Sequence, residues 1–489
     1  MSTAGVADPG QWLELAAHAY PGRAFLTTLE GRTLDYATSR AQCAQLAAAL
    51  LRRGVAAGDR VAVRLEKSPE AILLYLACLR LGAVFVPINL ASTASELDYV
   101  LRDADPRLFV DGENALGELA REGRTEQAPA APSEPHAPAA IVYTSGTTGR
   151  SKGAILTRAN LASNAAALAH AWRFTGTDVL LHVLPLAHVH GLFAAINTVL
   201  ASASGLLLLP KFEAAAALRQ LPAVTVFMGV PTHYHRLLKE RALDRRLTAH
   251  MRLFVSGSAP LLAQTHAAFR ERTGHAILER YGMTETLMNT SNPYDGPRVP
   301  GSVGPPLPGV SVRVTHPDSG AIEREADVVG QLEIAGPNVF AGYWRDPQKS
   351  ADSFTADGYF RTGDLGRIDR RGYVYIVGRL KDLIISGGYN VYPKEVELEL
   401  DALPGIAESA VFGVPHPDFG EGVTAAVVLE EGATLSEAEI LERARARLAG
   451  YKVPKRILLL AELPRNTMGK VQKNLLRASH ASLYAGGVQ

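Results

Sequence analysis

The segment that most restricts how this chain can fold is Tyr143-Thr-Ser-Gly-Thr-Thr-Gly-Arg-Ser-Lys-Gly153, entered by the apolar run Ala139-Ala-Ile-Val-Tyr143. The order reads as a buried strand, a Gly/Ser/Thr loop with a lysine, and a helix beginning near Thr157-Arg-Ala-Asn160. Glycines at 146, 149 and 153 permit close backbone approach, and exposed N–H groups with one cation suit a phosphate chain. The segment is not the P-loop of nucleoside triphosphatases, because that motif places its lysine between a glycine and Ser/Thr. Here Lys152 stands between Ser151 and Gly153.

The flanking sequence carries the same pattern. Asp35 to Arg53 has helical periodicity and stops at Gly54; Arg60–Arg64 alternates as a strand; Pro69 to Leu81 is helical and stops at Gly82; Val84–Pro87 is the next strand. This is βα repetition, which predicts a mainly parallel sheet covered by helices. Strands are also expected at 179–183, 205–209, 224–227 and 253–256. From about 300 to 378 the pattern becomes antiparallel sheet, with 310–314, 330–334 and 372–377 as strands. After Lys381 a smaller α+β unit follows, with strands at 409–414 and 424–428 and a helix from Ser436 to Leu448. The expected fold is therefore α/β: a large N-terminal domain (1–380) of βα-layered sheets with an antiparallel subdomain, and a small α+β C-terminal domain (381–489).

At 489 residues the chain can bury large cores. A net charge of +1 offers no global field for nucleic acid or an anionic membrane. The stretch from Ala194 to Leu209 is broken by polar residues and is too weak for a membrane span. Cys43 and Cys78 lie in apolar helical stretches and read as buried thiols of a reducing compartment. With no signal peptide or lipidation motif evident, the expectation is a cytoplasmic protein without stable membrane association.

Four further segments bear on chemistry. Tyr281-Gly-Met-Thr-Glu-Thr286 puts Glu285 in a short loop, where it suits either a Mg²⁺ ligand or a loop ion pair. Gly358-Tyr-Phe-Arg-Thr-Gly-Asp364 ends in a carboxylate that suits ribose hydroxyls or a turn cap. Gly378-Arg-Leu-Lys-Asp382 leads into Ile384-Ile-Ser-Gly-Gly-Tyr389, and Pro464-Arg-Asn-Thr-Met-Gly-Lys470 presents a lysine near the end of the chain.

These five segments, in this order and over roughly residues 20 to 480, resemble the acyl-activating, AMP-forming superfamily of acyl-CoA synthetases, adenylation domains and luciferases. The resemblance implies two steps. A carboxylate attacks the α-phosphate of ATP to give acyl-AMP and pyrophosphate, and the thiol of coenzyme A then displaces AMP. It assigns Thr144, Ser145, Gly146, Thr147, Thr148, Gly149 and Lys152 to the phosphates, Glu285 to Mg²⁺ and Thr284 to the α-phosphate. It assigns Ser258, Ala259, Pro260, Glu279, Tyr281 and Gly282 to the adenine site, and Asp364 and Arg379 to the ribose. Lys470 would bridge the substrate carboxylate and the α-phosphate. Lys381 would be the hinge about which the C-terminal domain rotates, and Gly387, Gly388 and Tyr389 would line the pantetheine tunnel, where a side chain would narrow it.

The acid is addressed by Leu186-Ala-His-Val-His-Gly-Leu-Phe193 and by Arg280. A cation beside the acyl pocket sits badly against an alkyl tail, whereas a second carboxylate matches a guanidinium. Pairing with Glu279 is the alternative use of Arg280. Residues 279–296 with 301–309 closely resemble malonyl-CoA synthetases. On that resemblance Arg280 clamps the distal carboxylate of malonate, with His190 and Ser258 as helpers, and methylmalonate is a second substrate because one methyl discriminates weakly. A medium-chain or aryl acyl-CoA synthetase is the competing reading, and it requires an apolar pocket.

Overall fold

The structure is a computed structural model that describes residues 8–123, 128, 130, 134–144, 151–317, 319–466 and 470–485. It has the mixed α/β architecture expected. Its contacts divide it into two compact units, Met1–Val312 with Ile334–Phe360, and Arg313–Glu333 with Arg361–Gln489. The division differs from a boundary at 380/381. The strands of 361–379 group with the C-terminal segment, because the helix Pro393–Asp401 packs on the strand Val374–Arg379.

The first unit is built on two sheets. The larger has eight strands in the order Leu287–Ser291, Leu278–Met283, Leu253–Ser256, Val226–Gly229, Val179–His182, Gly205–Leu208, Ala24–Thr28 and Thr33–Asp35. Its interior pairs are parallel and its two edge pairs antiparallel. Strands such as Leu253-Phe-Val-Ser256 are buried along their whole length, as the continuous apolar pattern of a doubly covered parallel sheet requires. The second sheet runs Gly342–Tyr343, Lys152–Thr157, Pro138–Thr144, Val84–Pro87, Arg60–Arg64, Leu108–Asp111. Helix Pro69–Leu81 starts on its Ser68 cap and ends at Gly82 in the left-handed conformation. It packs on helix Tyr36–Arg52, and the free thiols of Cys43 and Cys78 are buried in these two helices.

One local expectation is corrected. The phosphate loop does not lead directly into a helix. Lys152–Thr157 is a strand that pairs antiparallel with Pro138–Thr144, with Thr144 opposite Lys152. Helix Arg158–Ala171 begins only afterwards, on a Thr157 capping box. The β-branched and apolar residues Ala154-Ile-Leu-Thr157 favour the sheet. Strand Lys152–Thr157 thus stands in the sequence between the loop segment and the helix.

In the second unit the strands Phe360–Ile368 and Val374–Arg379 pair antiparallel. A five-stranded sheet carries the long pair Ile406–His416 and Gly420–Leu429. Helices Pro393–Asp401 and Glu437–Arg445 contribute to its core. Among the described residues no helix is long and apolar enough to cross a membrane.

Candidate active site

Ligand crevices in parallel sheets form beyond the carboxyl ends of the strands. Here those ends are unusually polar and buried. His182 closes one strand, Ser256 another, and Arg280 lies within a third. His190 opens a stretch of widened, π-type helix, His190–Asn197, a geometry frequent at functional sites. The His190 Nδ1 lies 3.2 Å from the Ser258 hydroxyl. Ser258 holds φ at +71°, a left-handed conformation that costs a non-glycine residue about 1–2 kcal/mol. Strain of this kind is characteristic of ligand sites.

Arg280 is the central feature. It is 3% exposed, and its Nε and Nη2 atoms have no hydrogen-bond partner among the described residues. These two nitrogens share one edge of the guanidinium, the edge that grips a carboxylate with two parallel N–H bonds. Burial alone lowers the Arg280 pKa to about 9, which leaves it charged at neutral pH. The Glu279 carboxylate is turned to the backbone N–H of Gly301, 3.0 Å away. The guanidinium fits only because residue 257 has no side chain: a Cβ there would stand 2.4 Å from Cζ of Arg280.

Its surroundings supply further unsatisfied groups. His190 Nε2, His182 Nδ1 and Ser256 Oγ are buried without a partner among the described residues. Burial first, and the adjacent Arg280 second, hold His190 well below its ordinary pKa, so it is neutral. His182 is lowered to about 3 by burial and by Lys67, and its Nε2 is 2.8 Å from the Gly191 carbonyl, to which it donates. Lys67 is a half-buried amine nearby. Its ammonium donates to the carbonyls of His182 and Leu209, and burial lowers its pKa to about 7. Buried polar groups are costly unless paired. Of these groups Arg280 is a cation, and neutral His190 can donate from Nε2 when its Nδ1 accepts from Ser258, whereas His182 Nδ1 is an acceptor because the ring proton is on Nε2. Arg280, His190 and Ser258 are candidates already in the sequence; His182, Ser256 and Lys67 are not, because they look like ordinary strand-end or solvent residues until the sheet assembles.

The nucleotide candidates of the first unit lie close by in the sequence. Glu285 is 7% exposed, in the turn between strands Leu278–Met283 and Leu287–Ser291, and its Oε1 accepts from the Tyr343 hydroxyl at 3.0 Å. One buried hard-oxygen carboxylate suits Mg²⁺, which takes few protein ligands and several from phosphate and water. No cluster of three or more His, Cys, Asp or Glu that could hold a metal occurs among the described residues. Thr284 is half-buried beside it. Lys152 lies with its ammonium 5.6 Å from the Tyr343 ring centroid. Tyr143 is tied to Asp103, and the Tyr99 hydroxyl donates to the Ser151 carbonyl at 3.0 Å. Ser145, Gly146, Thr147, Thr148 and Gly149 lie outside the described residues. Ala259 and Pro260 follow Ser258 on the connection after strand Leu253–Ser256, and the Tyr281 hydroxyl approaches the Met283 sulfur at 3.9 Å.

The remaining candidates belong to the second unit. Asp364 and Arg379 are cross-strand neighbours joined by an ion pair of 2.8 Å. Lys381 is exposed in the turn Leu380–Asp382, and Asp382 pairs with Arg477 at 3.0 Å. Gly387 and Gly388 are the two central residues of a hairpin, with φ of +58° and +80°. That is the conformation of a type I′ turn, which requires both residues left-handed. A Cβ at Gly388 would meet nothing within 4 Å, so turn geometry by itself accounts for the glycines. Tyr389 is exposed and stacks on Tyr451 with centroids 4.7 Å apart. Lys470 is exposed on a loop closed by reciprocal bonds with Asn466, both 3.0 Å.

Two family descriptions match the chain: AMP-binding enzyme over residues 13–344 and AMP-binding enzyme C-terminal domain over residues 395–470. The mitochondrial malonate–CoA ligase ACSF3 of Mus musculus is 40% identical over 452 residues, 81% of this chain and 77% of that protein. The malonate–CoA ligase of Arabidopsis thaliana is 36% identical, over 86% of this chain and 78% of that protein. Among solved structures, ATP-bound MatB from Rhodopseudomonas palustris has a TM-score of 0.92 and 49% identity, covering 96% of this chain and 99% of that one.

Proposed function

We propose, from the premise that this chain belongs to the AMP-binding enzyme family and is an AMP-forming acyl-CoA ligase using ATP and coenzyme A, that its acid is malonate. The reaction is ATP + malonate + CoA → malonyl-CoA + AMP + pyrophosphate through malonyl-AMP, with methylmalonate as a second substrate. The observation that carries the choice of acid is the buried Nε/Nη2 edge of Arg280, which has no partner among the described residues. A monocarboxylate with an apolar tail would leave that cation buried and uncompensated. A dicarboxylate pairs its distal end there and leaves the other carboxylate to react. The relatives named as malonate–CoA ligases support the same reading.

In this reading the groups divide the work. Arg280, neutral His190 and Ser258 hold the distal carboxylate. Thr144, Lys152 and Thr284 orient the phosphates, and Glu285 would hold Mg²⁺, which would supply charge neutralisation at the triphosphate. Asp364, held by Arg379, accepts from the ribose hydroxyls. Lys470, carried by the second unit, adds a cation where negative charge gathers in the first step. It is not needed once AMP is the leaving group, and the Gly387–Tyr389 hairpin serves the thiol-bearing arm of CoA in the second step. The two domains as read from the sequence, with Lys381 as hinge, belong to this proposal.

The test is AMP release with ATP, Mg²⁺ and CoA across malonate, methylmalonate, succinate, acetate, octanoate and benzoate, for the wild type and Arg280→Ala. Malonate should be preferred, and the variant should lose malonate selectively. Preference for octanoate or benzoate would establish a medium-chain or aryl ligase and make Arg280 a structural residue.

A further inference from the structure

The short edge strand Gly342–Tyr343 joins two parts of the first unit that are remote in sequence. On one side it pairs with strand Lys152–Thr157, Gly342 opposite Ile155 and Tyr343 opposite Ala154. The Trp344 N–H donates to the Gly153 carbonyl at 2.7 Å, and the Ala341 N–H to the Ile155 carbonyl at 3.0 Å. On the other side the Phe340 N–H donates to the Glu285 carbonyl at 2.8 Å. Tyr343 completes the connection with its side chain. Its hydroxyl donates to Oε1 of Glu285 at 3.0 Å, and its ring lies 5.6 Å from the Lys152 ammonium. The ring is itself fixed edge-on by Phe340, with centroids 4.9 Å apart, and its backbone N–H is held by the Ser350 hydroxyl at 2.8 Å.

We propose that Tyr343 is a positioning residue that sets the metal-binding carboxylate of Glu285 and the phosphate-loop cation Lys152 in one fixed geometry. The proposal rests on the reading of Glu285 and Lys152 as nucleotide groups. A free glutamate samples several rotamers, and each must be frozen when a cation binds. A hydroxyl donor on one oxygen restricts that search in advance, at the position where the metal and the phosphates meet. The ring face offers Lys152 a weak attraction that keeps its long chain over the same spot. One side chain thus serves the two charges of opposite sign that a metal–triphosphate requires.

The experiment uses the full chain and two binding readouts. ATP binding without metal is measured by calorimetry, and Mn²⁺ binding to the protein–ATP complex by electron paramagnetic resonance. Tyr343→Phe keeps the ring and removes the hydroxyl. It should weaken Mn²⁺ binding roughly tenfold, as loss of a hydrogen bond to a charged group does, and leave metal-free ATP binding within twofold. Tyr343→Leu removes the ring as well, and should add roughly a two- to fivefold loss in metal-free ATP affinity. In a Glu285→Gln background, Tyr343→Phe should have no further effect on Mn²⁺. A tyrosine with a merely packing role would give equal losses in both backgrounds, and that result overturns the proposal. So does wild-type Mn²⁺ affinity in Tyr343→Phe when Glu285→Gln alone is weakened. If Glu285→Gln itself binds Mn²⁺ as the wild type does, the assignment of Glu285 falls, and the proposal falls with it for that separate reason.

Discussion

Gly257→Ala is the sharpest test of the acid clamp, because the three atoms nearest to the methyl group it adds all belong to Arg280. Gly257 has an ordinary backbone conformation, absent from the residues with positive φ, so alanine is accommodated without strain. The added Cβ would lie 2.4 Å from Cζ, 2.6 Å from Nε and 2.8 Å from Nη1 of Arg280. Carbon atoms pack at about 3.5–4.0 Å, so the guanidinium must withdraw by roughly 1 Å or more. The sheet can absorb this, since the displaced atoms are the end of a flexible side chain. The clamp cannot, because hydrogen bonds weaken steeply outside about 3.2 Å. Losing a charged hydrogen bond costs about 1.5–3 kcal/mol, which at 1.4 kcal/mol per decade is roughly a 10- to 150-fold fall in kcat/KM for malonate. Pyrophosphate or AMP release, measured against malonate and against acetate, reads this directly. The KM for ATP should stay within twofold, and the thermal midpoint should move little. Combining Gly257→Ala with Arg280→Ala should cost no more than Arg280→Ala alone, since both act on one group. Malonate kinetics unchanged in Gly257→Ala, or equal losses for malonate and acetate, would refute the reasoning.

Other outcomes follow from the same geometry. Lys470→Ala should reduce acyl-AMP formation by about 10²–10³ or more, while thioester formation from supplied malonyl-AMP continues; comparable losses in both half-reactions would sink the assignment. Lys381→Pro restricts the backbone of the turn Leu380–Asp382 and should slow at least one half-reaction, so wild-type rates in both would remove it as a hinge. Asp401 is raised from 3.8 to about 6, chiefly by burial, although the Ser409 hydroxyl donates to it at 2.7 Å. Its folded form therefore binds the proton more tightly than the unfolded chain does. The stability it contributes is present below about pH 4 and is lost as pH rises towards 6. Asp401→Asn should remove that dependence, gaining on the wild type at pH 7.5 relative to pH 4 in denaturant melts of the second unit. A constant difference across that window would show that the carboxyl does not titrate there.

Periodicity placed most elements well. Helix Pro69–Leu81 and the strands Arg60–Arg64, Val84–Pro87 and Leu253–Ser256 have the bounds that caps, breakers and apolar runs dictate, because these signals act over a few residues. The extra strand Lys152–Thr157 was not legible. Its residues suit a strand or the start of a helix, and pairing with both Pro138–Thr144 and Gly342–Tyr343 decides between them. The glycines 387 and 388 stand out in the sequence, but the left-handed backbone angles that account for them appear only in the folded hairpin.

The candidate site divides along the same line. The resemblance of the ordered segments to the AMP-forming superfamily, and not residue type alone, singles out Lys152, Arg280, Glu285, Asp364 and Lys470. Whether such a charge is free or paired depends on partners distant in the chain. Folding joins Asp364 to Arg379 across two strands and Glu285 to Tyr343, and leaves one edge of Arg280 buried without a partner among the described residues. The sequence by itself determined the layered α/β class and the charged groups available. Only the tertiary structure decided which of those charges are compensated, because desolvation and pairing are properties of the assembled interior and not of any local stretch.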